Sequence, residues 1–207
     1  MATLYEKYII NEDNQVGSAG DGWRNAQTFT PAIAHTITSV KLKLYRSGSP
    51  GVGSIAITAV DGSGHPTGDN LASGAFDWDT LTLDVGGEWY EISFGAGVNL
   101  DASTKYAIIL RTPNSEEGVS GVAWRVDASS PTYAGGNVEQ SYGDEESWGA
   151  ADYDAMFEDW GEPIAPPSPN LTSRNNFNGY LAFIQQYIKH KVNGTTPWKN
   201  PQGDLIE

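Results

Sequence analysis

From residue 26 to residue 126, apolar and polar side chains alternate with a period of two. Val40, Leu42 and Leu44 alternate with Lys41, Lys43 and Tyr45. Ile55, Ile57 and Ala59 lie on one face of the next run, with Thr58 and Val60 opposite. Tyr90, Ile92 and Phe94, then Tyr106, Ile108 and Leu110, then Val122, Trp124 and Val126 repeat the pattern. Successive strand side chains point to opposite faces, so this period predicts half-buried antiparallel strands. Turn residues separate the runs: Ser47-Gly48-Ser49-Pro50-Gly51, the stretch Asp61 to Gly68, Val85-Gly86-Gly87 and Gly135-Gly136-Asn137. Glycine supplies positive φ and proline presets φ in such turns. No helical stretch interrupts the region, which argues against a βαβ parallel sheet and for a sandwich or jelly roll. The segment Leu100-Asp101-Ala102-Ser103-Thr104-Lys105-Tyr106 has the form of a tyrosine corner, in which the hydroxyl bonds backbone a few residues upstream.

The period changes after a Pro-rich stretch, Pro163 to Asn170, which reads as an extended spacer over 163–172. Beyond it, Phe177, Tyr180, Leu181, Ile184, Tyr187, Ile188 and Val192 fall at helical spacing. Thr172 or Ser173 can cap the N-terminus, Lys189 and Lys191 suit the C-terminal dipole, and Gly194 and Pro197 end the segment. The expected organisation is therefore an all-β antiparallel sandwich of jelly-roll type over 1–162, a linker, and an amphipathic helix with tail over 173–207. Each large apolar residue of the stripe gains roughly 1.5–3 kcal/mol on burial. Something must cover it, the chain's own sandwich, a sister chain or a partner; the tether and the charge difference favour the last two, so Phe177, Tyr180, Leu181, Ile184, Tyr187 and Ile188 are expected to dock on a partner subunit or a sister chain.

Composition sharpens this division. The chain has 207 residues, no cysteine and a formal net charge of −14. Residues 1–162 hold 8 Lys+Arg against 24 Asp+Glu, a net −16, whereas residues 163–207 hold 4 against 2, a net +2. So acidic a body argues against nucleic acid and anionic lipid as partners, because phosphate binding needs a basic surface. The absence of cysteine removes disulfides, thiolate metal sites and Cys nucleophiles. No apolar run is long enough to span a membrane, and the N-terminal residues carry no secretory h-region.

The order of several short motifs resembles the choice-of-anchor R type of β-sandwich module. They are Ala26 to Thr30, Ile37 to Leu44, His65-Pro66-Thr67-Gly68 with Leu71-Ala72-Ser73-Gly74, and Trp89-Tyr90-Glu91-Ile92. Val98-Asn99-Leu100 with Thr104 to Ala107 follow, then Trp124, Tyr133 to Gly136, Ser147-Trp148, Asp154 to Phe157 and Gly161. The resemblance covers about residues 5–162. It implies a jelly-roll-like module of the kind carried by bacterial surface proteins and by phage structural and tail proteins, with no catalytic signature. This chain departs from the surface members in showing neither signal peptide nor wall anchor. The expectation is a non-enzymatic structural protein of a virus particle, a capsid decoration or tail component. It would form homo-oligomers and hold other virion proteins through residues 163–207.

Catalytic chemistry finds little support. His35, His65 and His190 show no metal-ligand spacing, and His65, beside Pro66, reads as a solvated loop residue. There is no GxSxG elbow and no P-loop, and Gly17 to Gly22 reads as a loop. Glu116-Glu117, Asp144-Glu145-Glu146 and Asp152 with Asp154 read as solvated acidic stretches rather than a glycosidase pair. No cofactor is expected; Ca²⁺, which prefers oxygen ligands, is the metal these carboxylates would suit. Seven Trp residues raise glycan stacking as the alternative function, a carbohydrate-binding module or adhesin. Trp89 and Trp124 fall in strand patterns and are expected in the core. Trp78, between two aspartates, and Trp148, in an acidic stretch, are the candidate sugar contacts, with packing at the rim of the sandwich as their other reading.

Overall fold

The computed structural model describes residues 2–142 and 147–164, together with the strand pairs 198–199 and 205–206. The chain divides into two compact units, Met1–Ile164 and Ala165–Glu207. In the second, Trp198–Lys199 pairs antiparallel with Leu205–Ile206. The expected helix, with Phe177, Tyr180, Leu181, Ile184, Tyr187 and Ile188, lies outside the described residues.

The first unit is all-β among its described residues, apart from a single 3₁₀ turn at Trp78–Thr80. Its strands are β1 (Thr3–Tyr8), β2 (Asn14–Ser18), β3 (Gly20–Phe29), β4 (His35–Ser47), β5 (Val52–Val60), β6 (Pro66–Asp77) and β7 (Glu88–Leu100). There follow β8 (Tyr106–Thr112), β9 (Gly121–Asp127), β10 (Val138–Tyr142), β11 (Trp148–Ala151), β12 (Asp154–Ala155) and β13 (Phe157–Pro163). One sheet runs β11-β10-β3-β8-β5-β6. The other is built on β4. Strand β7 pairs along one edge of β4, and β13 followed by β9 pairs along the other. Strands β1 and β2 then add outside β13 and β9. Every pairing is antiparallel.

The two sheets share one core, the arrangement of a β-sandwich. Val40, Leu42, Leu44, Ile92, Trp124 and Phe157 come from the β4 sheet; Phe29, Ile55, Ile57, Ile108 and Leu110 come from the other. Apart from Phe29 and Phe157, these are the alternating positions that the two-residue period marks. Two features lie outside that period. Thr38 is an extra residue on β4 against β13, where Ile37 and Ser39 face the consecutive Gly161 and Trp160; against β7 the partner strand carries the longer stretch, since Ile37 and Ser39 face Val98 and Ser93. A bulge of this kind shifts the side-chain phase by one. His35 and Ile37 therefore point inward from odd positions, and Val40, Leu42 and Leu44 from even ones. Strand β7 accommodates the bulge through Gly95 and Gly97, both at positive φ, and a Cβ at Gly97 would collide with the Ile37 carbonyl.

The second feature is Trp78. It is fully buried and donates its indole N–H to the Arg111 carbonyl at 3.2 Å. Gly53 makes this room, since a Cβ there would strike the Trp78 indole nitrogen and the same carbonyl. The tyrosine corner is present: the Asp101 N–H donates to the Tyr106 hydroxyl at 3.0 Å. Tyr106→Phe leaves that N–H without its acceptor. It should lower stability by about 1 kcal/mol in urea unfolding while far-UV circular dichroism stays unchanged.

Candidate functional site

A groove of about 540 Å³ is lined by β2, β3, β9, β10 and the 117–120 loop. The chain leaves β2 at Ser18 and enters β3 at Gly20, so it steps from one sheet to the other at the groove wall. Strand β3 then departs from β8 between Gly20 and Asn25 while staying paired with β10 through Trp23↔Tyr142 and Arg24↔Ser141. That departure carries Trp23 away from the core. Trp23 is 43% exposed and Tyr142 is 54% exposed. Their rings meet edge to face with centroids 4.9 Å apart at 89°, a favoured quadrupole geometry.

Polar side chains fill the groove floor. Asn25 is buried and donates to the Gly17 carbonyl at 2.6 Å and to Ser18 Oγ at 2.9 Å. Gln140 donates to Asn25 Oδ1 at 3.0 Å and accepts from the Tyr142 hydroxyl at 3.3 Å. The neighbouring loop is tied down as well. Gly20 N–H donates to Ser115 Oγ at 2.7 Å, and Glu116 N–H donates to Ser120 Oγ at 3.0 Å.

A second polar cluster is sealed inside the sandwich. His35 and Asp159 both have fully buried side chains. His35 Nε2 lies 3.1 Å from Asp159 Oδ1 and 2.9 Å from Oδ2; the geometry suits a hydrogen bond to Oδ1, and Oδ2 receives none. Tyr5 stacks on the imidazole at 3.8 Å and 6°, and Gly161 leaves space for the ring. Burial alone would lower the His35 pKa. The hydrogen bond and charge of Asp159 and the Ile33 carbonyl outweigh it, so the pKa rises above its ordinary 6.5. Burial raises the Asp159 pKa above its ordinary value despite His35. Burial, with Glu6 nearby, also pushes the Tyr133 hydroxyl well up. Both side chains are closed to solvent, and the contact ties β4 to β13.

On the outer face of the β4 sheet, Lys7, Glu158, Lys41 and Glu91 stand in register across four strands with alternating sign. Beside them Glu12 binds Lys43 and, at 2.8 Å, Arg125. Burial works against the Glu12 carboxylate, but these two cations hold its pKa below the usual range.

The candidate sugar contacts fare differently. Trp78 is a core residue with no exposed face, because Gly53 opens the pocket that takes it. Trp148 is half-buried and packs on the small cluster of Ala26, Ala107 and Ile109 on the outer face of the β3 sheet. Trp124 is in the core as expected, but Trp89 is 39% exposed. Strand alternation explains Trp89: with Tyr90 and Ile92 turned inward, Trp89 and Glu91 must face out. His65 is not simply solvated, for its Nδ1 sits 2.8 Å from the nearly buried Glu139 carboxylate. Asp154 is buried and accepts from the Tyr133 N–H at 2.7 Å, whereas Asp152 is exposed. Asp144, Glu145 and Glu146 lie outside the described residues. Among the described residues no group of three or more His, Asp or Glu converges as a metal site, and no helix is long and apolar enough to cross a membrane.

Trp23 and Tyr142 lie outside the sequence-predicted set. Trp23 follows a glycine-rich stretch read as a loop, and that break in the strand pattern was the available signal of an exposed aromatic. No protein-family model matches the chain, and no curated protein matches it.

The buried pair makes stability depend on pH. His35 and Asp159 both hold protons more tightly folded than unfolded. The stabilisation is complete below their unfolded values and is lost as pH rises through the raised folded ones. Denaturation midpoints should therefore fall from mildly acidic to alkaline pH, and His35→Gln combined with Asp159→Asn should flatten that fall.

Proposed function

We propose that this chain is a non-enzymatic structural protein of a virus particle, a capsid decoration or tail-associated component. In this reading residues 1–162 form a jelly-roll domain displayed on the particle. Residues 163–207, with the stripe Phe177, Tyr180, Leu181, Ile184, Tyr187 and Ile188 on a helix, attach it to other virion proteins or to copies of itself. The observation that carries the reading is the division into two compact units at Ile164 and Ala165, inside the Pro-rich stretch and at the change of net charge from −16 to +2. Self-repelling, solvated charge suits a displayed surface. The outer face of the β4 sheet is solvated in a different way, by the row Lys7, Glu158, Lys41 and Glu91, whose charges alternate in sign. The resemblance to choice-of-anchor R modules points to the same class of protein.

A second reading, a carbohydrate-binding module or adhesin, is favoured by the exposed Trp23 and Tyr142 in the groove and is compatible with the first.

Mass spectrometry of purified particles should find the chain at structural copy number, and its absence would overturn the particle reading. A chain ended at residue 162 should stay folded, all-β and monomeric by light scattering, and should no longer join particles. A truncated body that unfolds would mean that residues 163–207 belong to its core.

A further inference from the structure

We propose that the groove between β2, β3, β9 and β10 binds a neutral pyranose glycan, with Trp23 and Tyr142 as its stacking platform. The inference deepens the carbohydrate reading and does not depend on the particle reading. Its size, about 540 Å³, lies within the roughly 300–1,000 Å³ of small-molecule sites.

The chemistry on its walls is that of a sugar. A pyranose presents C–H faces that pack on aromatic rings and a rim of hydroxyls that both donate and accept. The exposed rings of Trp23 and Tyr142 supply the apolar surface, and their edge-to-face contact holds both in place before any ligand arrives. No partner for the Trp23 indole N–H is found among the described residues, which leaves it free to donate to a hydroxyl. A primary amide carries two N–H donors and an oxygen with two lone pairs. Gln140 spends one of each on Asn25 and Tyr142, which leaves one donor and one lone pair for a second hydroxyl. Asn25 is fixed from below by Gly17 and Ser18, so the amide pair is set in advance and little ordering entropy is lost on binding.

Charge selects against anionic glycans. The groove lining sets one carboxylate, Glu117, against one cation, Arg24, so it is the net −16 of the body around it that meets sialylated or sulfated chains with a repelling field. A neutral hexose polymer does not.

The test titrates the full chain with neutral gluco-, galacto- and manno-oligosaccharides and with a sialylated and a sulfated one, read by calorimetry and tryptophan fluorescence. At least one neutral oligosaccharide should bind saturably. Trp23→Ala and, separately, Tyr142→Ala should each weaken it about tenfold, or about 1.4 kcal/mol. Trp89→Ala, on an exposed ring outside the groove, should leave it unchanged. Two substituted positions keep the test readable if one variant folds poorly. No binding by any neutral oligosaccharide would overturn the proposal. So would binding that survives both groove substitutions, or binding confined to the anionic probes. Particles that contain the chain while it ignores every sugar would overturn the glycan site and leave the particle reading standing.

Discussion

Strand β4 is paired on both edges, to β7 on one and to β13 and then β9 on the other, and its phase decides what lies between the sheets. The single extra residue Thr38 changes that phase partway along. Beyond the bulge, Val40, Leu42 and Leu44 supply the inward row against which Trp124 and Phe157 pack. Before it, the same strand turns His35 inward, where a neutral strand would place another aliphatic group. A buried imidazole is costly unless paired, and Asp159 from β13 is its partner. The bulge, the glycines of β7 and Gly161 are thus parts of one solution: backbone space given up by glycine at the positions where a phase change brings side chains or carbonyls together.

The same economy shapes the groove. Strand β3 pairs residue by residue with β8 from Asn25 onward and bulges away from it between Gly20 and Asn25 while keeping β10, so its first residues serve the surface and its last serve the core. Asn25 stands at the boundary. Its buried amide joins the β2–β3 connection to Gln140 on β10, a polar floor that a continuous apolar strand would have replaced with packing. The aromatic pair above it is exposed because the strand beneath has departed, and that departure makes Trp23 and Tyr142 available to a ligand.

Much of the architecture was legible along the chain. Alternation over 40–44, 55–59, 90–94, 106–110 and 122–126 gave the strands and their inward faces, since one buried side of a sheet imposes that period. The Leu100 to Tyr106 motif gave the corner, since its hydrogen bond closes within six residues. The tryptophans were harder. Trp78 sits among aspartates and reads as exposed, yet the vacancy that buries it is made by Gly53, on a different strand. Trp89 reads as core because it falls in a strand, although the alternation of that strand turns it outward. Trp23 carried no sugar-binding signature of its own, because its exposure follows from a break in pairing with β8.

By itself, then, the sequence determined that the body is antiparallel β, which side chains of most strands face inward, and that an acidic body is followed by a Pro-rich stretch and a less acidic tail. These are properties of neighbours along the chain. Only the tertiary structure decided the pairing of β4 with both β13 and β9, the burial of His35 against Asp159, and the meeting of Trp23 with Tyr142 over Asn25 and Gln140. Those partners lie about 75 to 130 residues apart in the chain. Register, bulges and the space left by glycine bring them together, and none of these is a local property of the sequence.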